Sequence, residues 1–255
     1  MHKQVLIEAT KKGAEQLAYF FHREYKVYQK EGVNNPVTEA DNAAEKAIIE
    51  TIKAAFPDHF ILSEESGEIP QQSSYKWIID PIDGTINFSQ GIPICAVSVG
   101  LEMDGEIIMG AVYNPLMEEF FFAEKGKGAF LNDERIEVSK KSVFEKSCFV
   151  TGFPYTYLND KNGPLQTFER LIRRGIAVRR LGSAAIDMCW TAAGRFEAFY
   201  EHHLQPWDTA AGVIILKEAG GKLTNLKGEA FDIYRHGLIA SNGLVHDELL
   251  QIINQ

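Results

Sequence analysis

The sequence predicts a protein of the α+β class, built from layers of helices and strands. Helical and strand-like patterns alternate along the whole chain of 255 residues, which is typical of layered α and β structures. Turn signals at Asp104-Gly105 and at Gly126 separate neighbouring strand-like stretches, which indicates antiparallel hairpins as well. The chain is also long enough to bury a full core, as one large domain or as two coupled halves.

The first half of the chain opens with two amphipathic helices. Apolar residues recur at helical spacing from Leu6 to Phe21, which predicts a helix over residues 3–25. A polar loop over 29–35 follows. Thr38 and the acids after it then predict the start of a second helix with an apolar inner side.

Short apolar runs after the second helix predict strands. They cover residues 60–62, 77–79, 94–101, 107–113, 120–123 and 129–131. The polar, lysine-rich segment 139–146 is the predicted boundary between two halves of one structural unit, residues 1–142 and 143–255. The second half repeats the alternation of helices and strands. Its predicted strands are 148–151, 176–180, 196–201 and 238–241, and its predicted helices are 165–174, 184–193, 207–219 and 245–253.

The composition excludes several classes of function. A net charge of −9 and a pI near 5.3 argue against general electrostatic binding to nucleic acid or to anionic lipid. No apolar stretch approaches the roughly 20 residues that a membrane-spanning helix needs, and the N-terminus has no signal-peptide core. The three cysteines have apolar or small neighbours, which is typical of reduced thiols. We therefore expect a cytoplasmic protein that contacts neither membranes nor nucleic acid directly.

Residues 77–88 carry more chemical information than any other segment. The apolar run at the start leads directly into Asp80, and Asp83 follows three residues later. Gly84 permits a tight turn, and Thr85 or Asp83 would cap a following helix. We expect the two carboxylates at the exposed C-terminal end of a strand, beside free backbone N–H groups, where they suit a metal ion bound to a phosphate. The alternative interpretation is that the segment binds no ligand and forms only a strand, an Asp-rich turn and a capped helix.

Acidic residues recur at the ends of the predicted helices and strands. They are Asp41, Glu64, Glu65, Asp80, Asp83 and Asp208. Taken alone, each acid has a structural explanation that needs no metal, such as a capping box between Asp41 and Thr38 or a helix N-terminus at Asp208. Together they supply the oxygen ligands that Mg²⁺ or Mn²⁺ prefers, and a cation would be needed if they converge. The spacing along the sequence leaves their convergence open.

Four segments, in order along the chain, resemble the signatures of one enzyme family. They are Ser-Glu-Glu-Ser at 63–66, Asp-Pro-Ile-Asp-Gly-Thr-Ile-Asn-Phe at 80–88, Gly-Ser-Ala-Ala at 182–185, and Trp-Asp-Thr-Ala-Ala-Gly at 207–212 leading to Glu-Ala-Gly-Gly at 218–221. The family that they resemble is the inositol monophosphatase family, and the likeness extends from about residue 37 to residue 221. Several motifs in the right order are far more specific than any single one.

The resemblance implies a role for each matching position. The implied metal ligands are Glu64, Asp80, the Ile82 carbonyl, Asp83 and Asp208. The implied catalytic residues are Asp41, Thr85 and Glu64, with Asp41 and Thr85 as the pair that orients the attacking water. The implied substrate contacts are Gly84, Thr85, Ala184, Glu201 and Asp208, with Glu201 at a substrate hydroxyl. Lys30 falls in the mobile loop that the family places near its metals.

The resemblance also implies a fold and an activity. The fold is the layered α-β-α-β-α sandwich of the sugar-phosphatase superfamily, and the expected assembly is a homodimer. The expected reaction is lithium-sensitive hydrolysis of a small phosphate monoester by metal-activated water, with inositol 1-phosphate as the first candidate substrate. Two or three Mg²⁺ ions are expected per site, with Mn²⁺ as a substitute.

Other readings stay open. Fructose 1,6-bisphosphate would need a cation for its second phosphate, and Arg179 and Arg180 lie near the Gly-Ser-Ala-Ala segment, although we favour dimer or surface roles for them. Residues 86–88 disfavour adenosine 3′,5′-bisphosphate, whereas a dinucleotide phosphate and histidinol phosphate stay open. His202 and His203 are expected at the surface or in a loop rather than at a zinc ion. A regulatory protein partner, linked to transcription, is the alternative from a different class.

Overall fold

The computed structural model describes residues 1–30, 36–153 and 163–255. Helices in these residues are α1 (His2–Phe20), α2 (Glu39–Ala55), α3 (Thr85–Ser89), α4 (Pro164–Arg173), α5 (Ala184–Ala192), α6 (Pro206–Glu218) and α7 (His246–Ile253), with a 3-10 turn at Phe144–Lys146. No helix in these residues combines the length and the apolar composition that spanning a membrane requires.

The strands form two large sheets and a small hairpin. They are β1 (Val27–Gln29), β2 (Pro36–Thr38), β3 (Phe60–Ser63), β4 (Gly67–Ile69), β5 (Tyr75–Asp83), β6 (Ala96–Met103), β7 (Glu106–Asn114), β8 (Glu119–Glu124), β9 (Gly128–Leu131), β10 (Glu134–Ile136), β11 (Cys148–Thr151), β12 (Ala177–Arg179), β13 (Ala198–Glu201), β14 (Lys222–Thr224) and β15 (Leu238–Ser241). One sheet has the order β10-β9-β8-β7-β6-β5-β3-β4, the other has the order β12-β11-β13-β15-β14, and β1 pairs with β2.

Five layers of helices and sheets stack on one another. Helices α1 and α2 cover one face of the eight-stranded sheet. Helices α5 and α6 fill the space between the two sheets. Helices α4 and α7 cover the outer face of the five-stranded sheet. The arrangement confirms the predicted α+β class and the α-β-α-β-α order of its layers.

Strand β5 shows why an unbroken apolar run belongs at the centre of such a stack. Trp77 and Ile79 pack into the core beneath α1 and α2, and Ile78 packs on the opposite face beneath α5 and α6. Successive side chains of a strand point to opposite faces, so a strand covered on both sides must be apolar at every position. The same burial continues beyond Ile79 to the acids that follow.

Several sequence-based boundaries differ from the structure. Helix α1 ends at Phe20 rather than near residue 25, because the chain turns there and brings Tyr25 against the ring of Phe88, with ring centroids 5.3 Å apart. The predicted loop over 29–35 begins inside β1, while its residues 31–35 lie outside the described residues. Five short strands were also not predicted, since three residues leave too little pattern to detect. They are β1, β2, β4, β10 and β14.

The lysine-rich segment over 139–146 connects β10 to β11. Helices α5 and α6, which follow it, contribute to a core that includes residues of both large sheets. We propose a boundary between residues 142 and 143 that separates two halves of one structural unit.

Candidate active site

The two acids of β5 lie inside the protein rather than at an exposed strand end. Asp80 is 1% exposed and Asp83 is 8% exposed, and both still belong to the strand. The pairing with β6 shifts register between them, which indicates a bulge. A bulge bends its strand and re-aims the side chains beside it, so both carboxylates can face one point. The expectation of an exposed position was wrong because α5 and α6 cover this end of the sheet.

A third carboxylate completes a group that we call the acid cluster: Asp80, Asp83 and Asp208. One oxygen from each residue lies within 4.8 Å of the other two. Burial, followed by the neighbouring carboxylates, raises the pKa of Asp80 and of Asp208 well above the ordinary value. Oδ1 of Asp80 is buried and has no hydrogen-bond partner among the described residues. An unpartnered buried oxygen among like charges fits a site for a divalent cation with oxygen ligands.

Helix α6 carries Asp208 to β5 because two glycines let it approach the sheet closely. A Cβ atom on Gly100 would lie 2.8 Å from Cβ of Ala210, and one on Gly110 would lie 2.7 Å from Cα of Ala211. Any side chain at either glycine would therefore push the start of α6 away from the sheet. Asp208 is fixed within the helix by a capping box, since its Oδ2 accepts a hydrogen bond from the Gln205 backbone at 2.6 Å.

Asp83 is held by groups from the second half of the chain. Its Oδ2 accepts hydrogen bonds from Ser183 Oγ at 2.5 Å and from the Ala185 backbone at 2.7 Å. Burial raises the pKa of Asp83 to about 6, and these hydrogen bonds oppose the shift. The Gly-Ser-Ala-Ala segment thus positions a carboxylate of the acid cluster, and Ala184 lies between the two donors at the start of α5.

Thr85 and Asp41 form the second part of the site. Thr85 Oγ1 lies 3.1 Å from Oδ1 of Asp41 and 2.9 Å from the Ile82 carbonyl, and its single hydrogen can serve either acceptor. Asp41 is fixed by the predicted capping box, in which its Oδ2 accepts from the Thr38 backbone at 2.8 Å. Burial raises the pKa of Asp41 to about 6, and the hydrogen bonds from Thr38 oppose the shift.

Gly84 is the N-cap of α3, so the prediction that Thr85 or Asp83 caps this helix was wrong. The φ of Gly84 is +89°, in the left-handed region that favours glycine. A Cβ atom there would lie 2.9 Å from the Ile94 carbonyl and 3.2 Å from the Gly182 carbonyl. The turn after Asp83 therefore depends on glycine for both its conformation and its space.

Glu64 lies beside the acid cluster but outside it. Its Oε1 accepts a hydrogen bond from Lys30 Nζ at 3.0 Å, and Oε1 of Glu65 accepts one from the same amine at 2.5 Å. Burial raises the pKa of Glu65 to about 7, while Lys30 opposes the shift. Glu45, which the sequence did not single out, accepts hydrogen bonds from the backbones of Glu65 and Ser66 and so fixes the turn that carries Glu64.

Glu201 is the last residue of β13 and lies near Asp208 and Asp83. Its side chain is buried, and no described residue donates a hydrogen bond to its carboxylate. Burial, followed by Asp208, raises the pKa of Glu201 well above the ordinary value, and Arg180 opposes the shift. Asp187 is also buried near Glu201 and Arg180, with Oδ1 unpartnered among the described residues, and sequence patterns gave no sign of it.

The two histidines after Glu201 differ from each other. Both lie in the connection between β13 and α6, in agreement with the expected surface or loop position, but His203 is exposed whereas His202 is buried at 8% exposure. Among the described residues the acid cluster is the one group of three His, Cys, Asp or Glu side chains that could hold a metal.

Known proteins resemble this chain over nearly its full length. Residues 2–255 match the inositol monophosphatase family. A protein named fructose-1,6-bisphosphatase/inositol-1-monophosphatase from Thermotoga maritima is 40% identical over 90% of this chain and 86% of that protein. Nus factor SuhB from Pasteurella multocida is 38% identical over 86% of this chain and 83% of that protein. The crystal structure of extragenic suppressor protein suhB from Bartonella henselae superposes with a TM-score of 0.93, at 37% identity over 99% of this chain and 98% of the other.

Sequence motifs, fold and buried acids therefore agree. The chain belongs to the inositol monophosphatase family, a family of metal-dependent phosphatases that hydrolyse phosphoric monoesters.

Proposed function

We propose that this protein hydrolyses inositol 1-phosphate to myo-inositol and phosphate in a Mg²⁺-dependent reaction. The observation that carries the proposal is the convergence of Asp80, Asp83 and Asp208 beside the hydrogen-bonded pair of Thr85 and Asp41. Membership of the inositol monophosphatase family and the name of the T. maritima relative support this substrate.

The chain offers oxygen ligands of the type that Mg²⁺ selects. The ligands that we assign are the carboxylates of Glu64, Asp80, Asp83 and Asp208 and the Ile82 carbonyl. Two or three ions per site suit this number of acids, and Mn²⁺ would substitute for Mg²⁺. Bound Mg²⁺ would supply positive charge for the phosphoryl oxygens and would lower the pKa of a water molecule by several units.

Thr85 and Asp41 would orient that water. If Thr85 donates its hydroxyl hydrogen to Asp41, its lone pairs are left to accept a hydrogen bond from the water. The proton lost during attack can then pass through the hydroxyl to the Asp41 carboxylate. The capping box with Thr38 holds Asp41 at the right place for this transfer.

Substrate contacts would come from both halves of the chain. Gly84 and Thr85 begin a helix whose first backbone N–H groups lack helical partners and would donate to a phosphoryl oxygen. Glu201 would accept hydrogen bonds from hydroxyl groups of the polyol, because no described residue uses its carboxylate. Ala184 would lie beside the bound substrate, where its small side chain leaves room for the polyol. Asp208 lies near both Asp83 and Glu201 and would contact both the metal and the substrate.

A bisphosphate substrate is a second candidate, favoured by the position of Arg180. Arg180 is exposed and lies near enough to lower the pKa of both Glu201 and Asp187, whereas Arg179 Nη1 donates to the Val178 carbonyl. An arginine at this edge would pair with a second phosphate, as fructose 1,6-bisphosphate would require. Both arginines lie at the surface, as expected, and the proposal gives a binding function to Arg180 alone.

Other properties of the family belong to the proposal as well. We propose a cytoplasmic, lithium-sensitive homodimer, and the three free cysteines support a reducing environment. A regulatory protein partner is a further proposal, supported by the name of the P. multocida relative, Nus factor SuhB. The acidic charge balance makes direct binding to nucleic acid unfavourable.

The test is phosphate release from a panel of esters, each with Mg²⁺ and with EDTA. The panel contains inositol 1-phosphate, fructose 1,6-bisphosphate, adenosine 3′,5′-bisphosphate, NADP and histidinol phosphate. We expect metal-dependent release to be fastest from inositol 1-phosphate. Faster release from another ester would replace the substrate and keep the mechanism. No release from any ester by folded protein with Mg²⁺ or Mn²⁺ would overturn the proposal in favour of a binding role.

A further inference from the structure

Gly152 lies directly beside the carboxylate of Glu201. Strands β11 and β13 are parallel neighbours, and Thr151 pairs with Tyr200 in their register. Gly152 directly follows the last residue of β11, and Glu201 follows Tyr200 as the last residue of β13. Residues at matching positions of neighbouring strands project from the same face of a sheet and stand roughly 4.8 Å apart. A side chain at residue 152 would therefore stand next to the side chain of Glu201.

The carboxylate of Glu201 fills the space that such a side chain would need. A Cβ atom on Gly152 would lie 2.1 Å from Oε2, 2.4 Å from Oε1 and 2.4 Å from Cδ of Glu201. Non-bonded heavy atoms normally approach to about 3.5–4.0 Å. The φ of Gly152 lies outside the left-handed region, so the backbone would accept another residue. Space for the carboxylate is thus the reason for glycine at this position.

The side chain of Glu201 would yield to a larger residue before the backbone does. Thr151 Oγ1 donates to the Tyr200 carbonyl at 2.8 Å and ties the ends of the two strands together. The Glu201 side chain ends in a flexible carboxylate that receives no hydrogen bond from a described residue. A methyl group at residue 152 would therefore move the carboxylate and leave the strands in place.

We infer that Gly152 sets the position of the Glu201 carboxylate and is a specificity-determining residue for phosphate esters that carry neighbouring hydroxyl groups. The inference rests on the proposed function in that Glu201 receives those hydroxyls. The acid cluster and the Thr85–Asp41 pair lie on β5, α2, α3 and α6, so a change at residue 152 spares the groups that act on the phosphate.

Gly152→Ala tests the inference with two esters and a crystal structure. For inositol 1-phosphate we expect kcat/KM to fall about tenfold to a hundredfold, because a hydrogen bond to a charged group is lost. For phenyl phosphate, which has no hydroxyl for Glu201, we expect a change of less than about threefold. Crystal structures of the wild type and the variant should show the carboxylate displaced by more than about 1 Å, since the contact must open to normal distance.

Two further variants separate this role from general damage. Gly221→Ala is the matched control, because its Cβ would lie 2.6 Å from the Leu216 side chain in the same half of the chain, away from Glu201. It should leave the ratio of the two kcat/KM values unchanged. In a Glu201→Ala background, Gly152→Ala should have no further effect on that ratio, since the two residues act as one unit.

An unmoved carboxylate in the Gly152→Ala crystal structure would overturn the inference. An equal loss for both esters would overturn it too, as would a full effect of Gly152→Ala in the Glu201→Ala background. Failure of the proposed function would look different, because the wild type would then not hydrolyse inositol 1-phosphate. The crystal structures decide the position of the carboxylate in either case.

Discussion

The acid cluster and the polar side chains around His246 both contain buried polar groups, but they differ in how the hydrogen bonds of those groups are completed. His246 is fully buried between Thr224 and Ser241, with Nε2 2.9 Å from Thr224 Oγ1 and Nδ1 2.8 Å from Ser241 Oγ. Thr224 donates its own hydrogen to the Asn225 carbonyl, so its oxygen must accept from Nε2–H, and Ser241 donates to Nδ1. Every polar atom of this ring has a partner.

The acid cluster has the opposite character. The carboxylates of Asp80 and Asp83, which are buried, and of Asp208, which is half-buried, meet in one place, and Oδ1 of Asp80 has no partner among the described residues. A satisfied buried network contributes to stability, whereas unpaired buried charges destabilise a fold unless a ligand compensates them. We therefore propose that the residues around His246 support the structure and that the acid cluster serves binding and chemistry. Variants in the two places should therefore change different measured quantities.

Asp83→Asn should have the largest effect, and that effect should be on catalysis. The amide keeps an oxygen to accept from the Ala185 backbone but removes one charge of the acid cluster. A metal supplies several kcal/mol of charge stabilisation in the transition state, and each 1.36 kcal/mol is tenfold in rate, so kcat/KM should fall by about a thousandfold or more. Steady-state kinetics and far-UV circular dichroism test this together. Activity near that of the wild type in a folded variant would contradict the assignment.

Mg²⁺ should stabilise the wild type, and the gain should depend on the acid cluster. A ligand at a hundred times its Kd adds about 2.7 kcal/mol to the free energy of unfolding. Asp80→Asn should lose most of that gain and should exceed the wild type in stability when EDTA is present, because one buried like charge is gone. Urea unfolding with Mg²⁺ and with EDTA measures both effects.

Asp187→Asn is the matched control for the Mg²⁺ experiment. Asp187 is as buried as Asp80 and also has an unpartnered oxygen among the described residues, but it lies outside the acid cluster. It should keep the full Mg²⁺-dependent gain. Equal gains in all three proteins would show that Mg²⁺ binds elsewhere.

From the sequence, the residues of the candidate site could be predicted, but their convergence and burial could not. Asp80 and Asp83 follow an apolar run, and the distinctive motifs identified Asp208 although more than a hundred residues separate it from Asp83. Their convergence depends on Gly100 and Gly110, which look like ordinary strand residues until α6 is seen to lie directly on them. Burial of the acids escaped prediction for the same reason, because it comes from helices distant in the sequence. Local patterns specify elements, and contacts between elements specify the site.

His246→Asn should reduce stability without affecting catalysis. The shorter amide cannot reach both hydroxyls, and a buried polar group left without a partner costs about 1–3 kcal/mol. Urea unfolding at pH 7 should show this loss, while kcat and KM for the best ester stay within about twofold. A loss of activity without a loss of stability would contradict the division between the two regions.

The pH dependence of stability should change in the same variant. Burial, followed by Lys222, lowers the pKa of His246 from 6.5 to about 4, and Asp247 opposes the shift. Between pH 6.5 and pH 4 the unfolded chain therefore binds a proton at this residue that the folded protein does not bind. This contribution to stability is complete above pH 6.5 and is lost as the pH falls towards 4. Removing His246 should make the decline from pH 7 to pH 5 shallower, and an unchanged slope would contradict the assigned neutral ring.

Glu201 gives the comparison its most sensitive test. Its buried carboxylate, like Oδ1 of Asp80, has no hydrogen-bond donor among the described residues, but it lies where the substrate hydroxyls are proposed to bind. If unpaired buried groups serve binding, Glu201→Gln should raise KM for inositol 1-phosphate about tenfold, since a hydrogen bond to a charged acceptor becomes one to a neutral acceptor. The free energy of unfolding should stay equal or rise, because a buried charge near Asp208 is removed. Steady-state kinetics and urea unfolding of the same preparation measure both quantities. An unchanged KM with a loss of stability would place Glu201 with His246, as a residue that supports the fold.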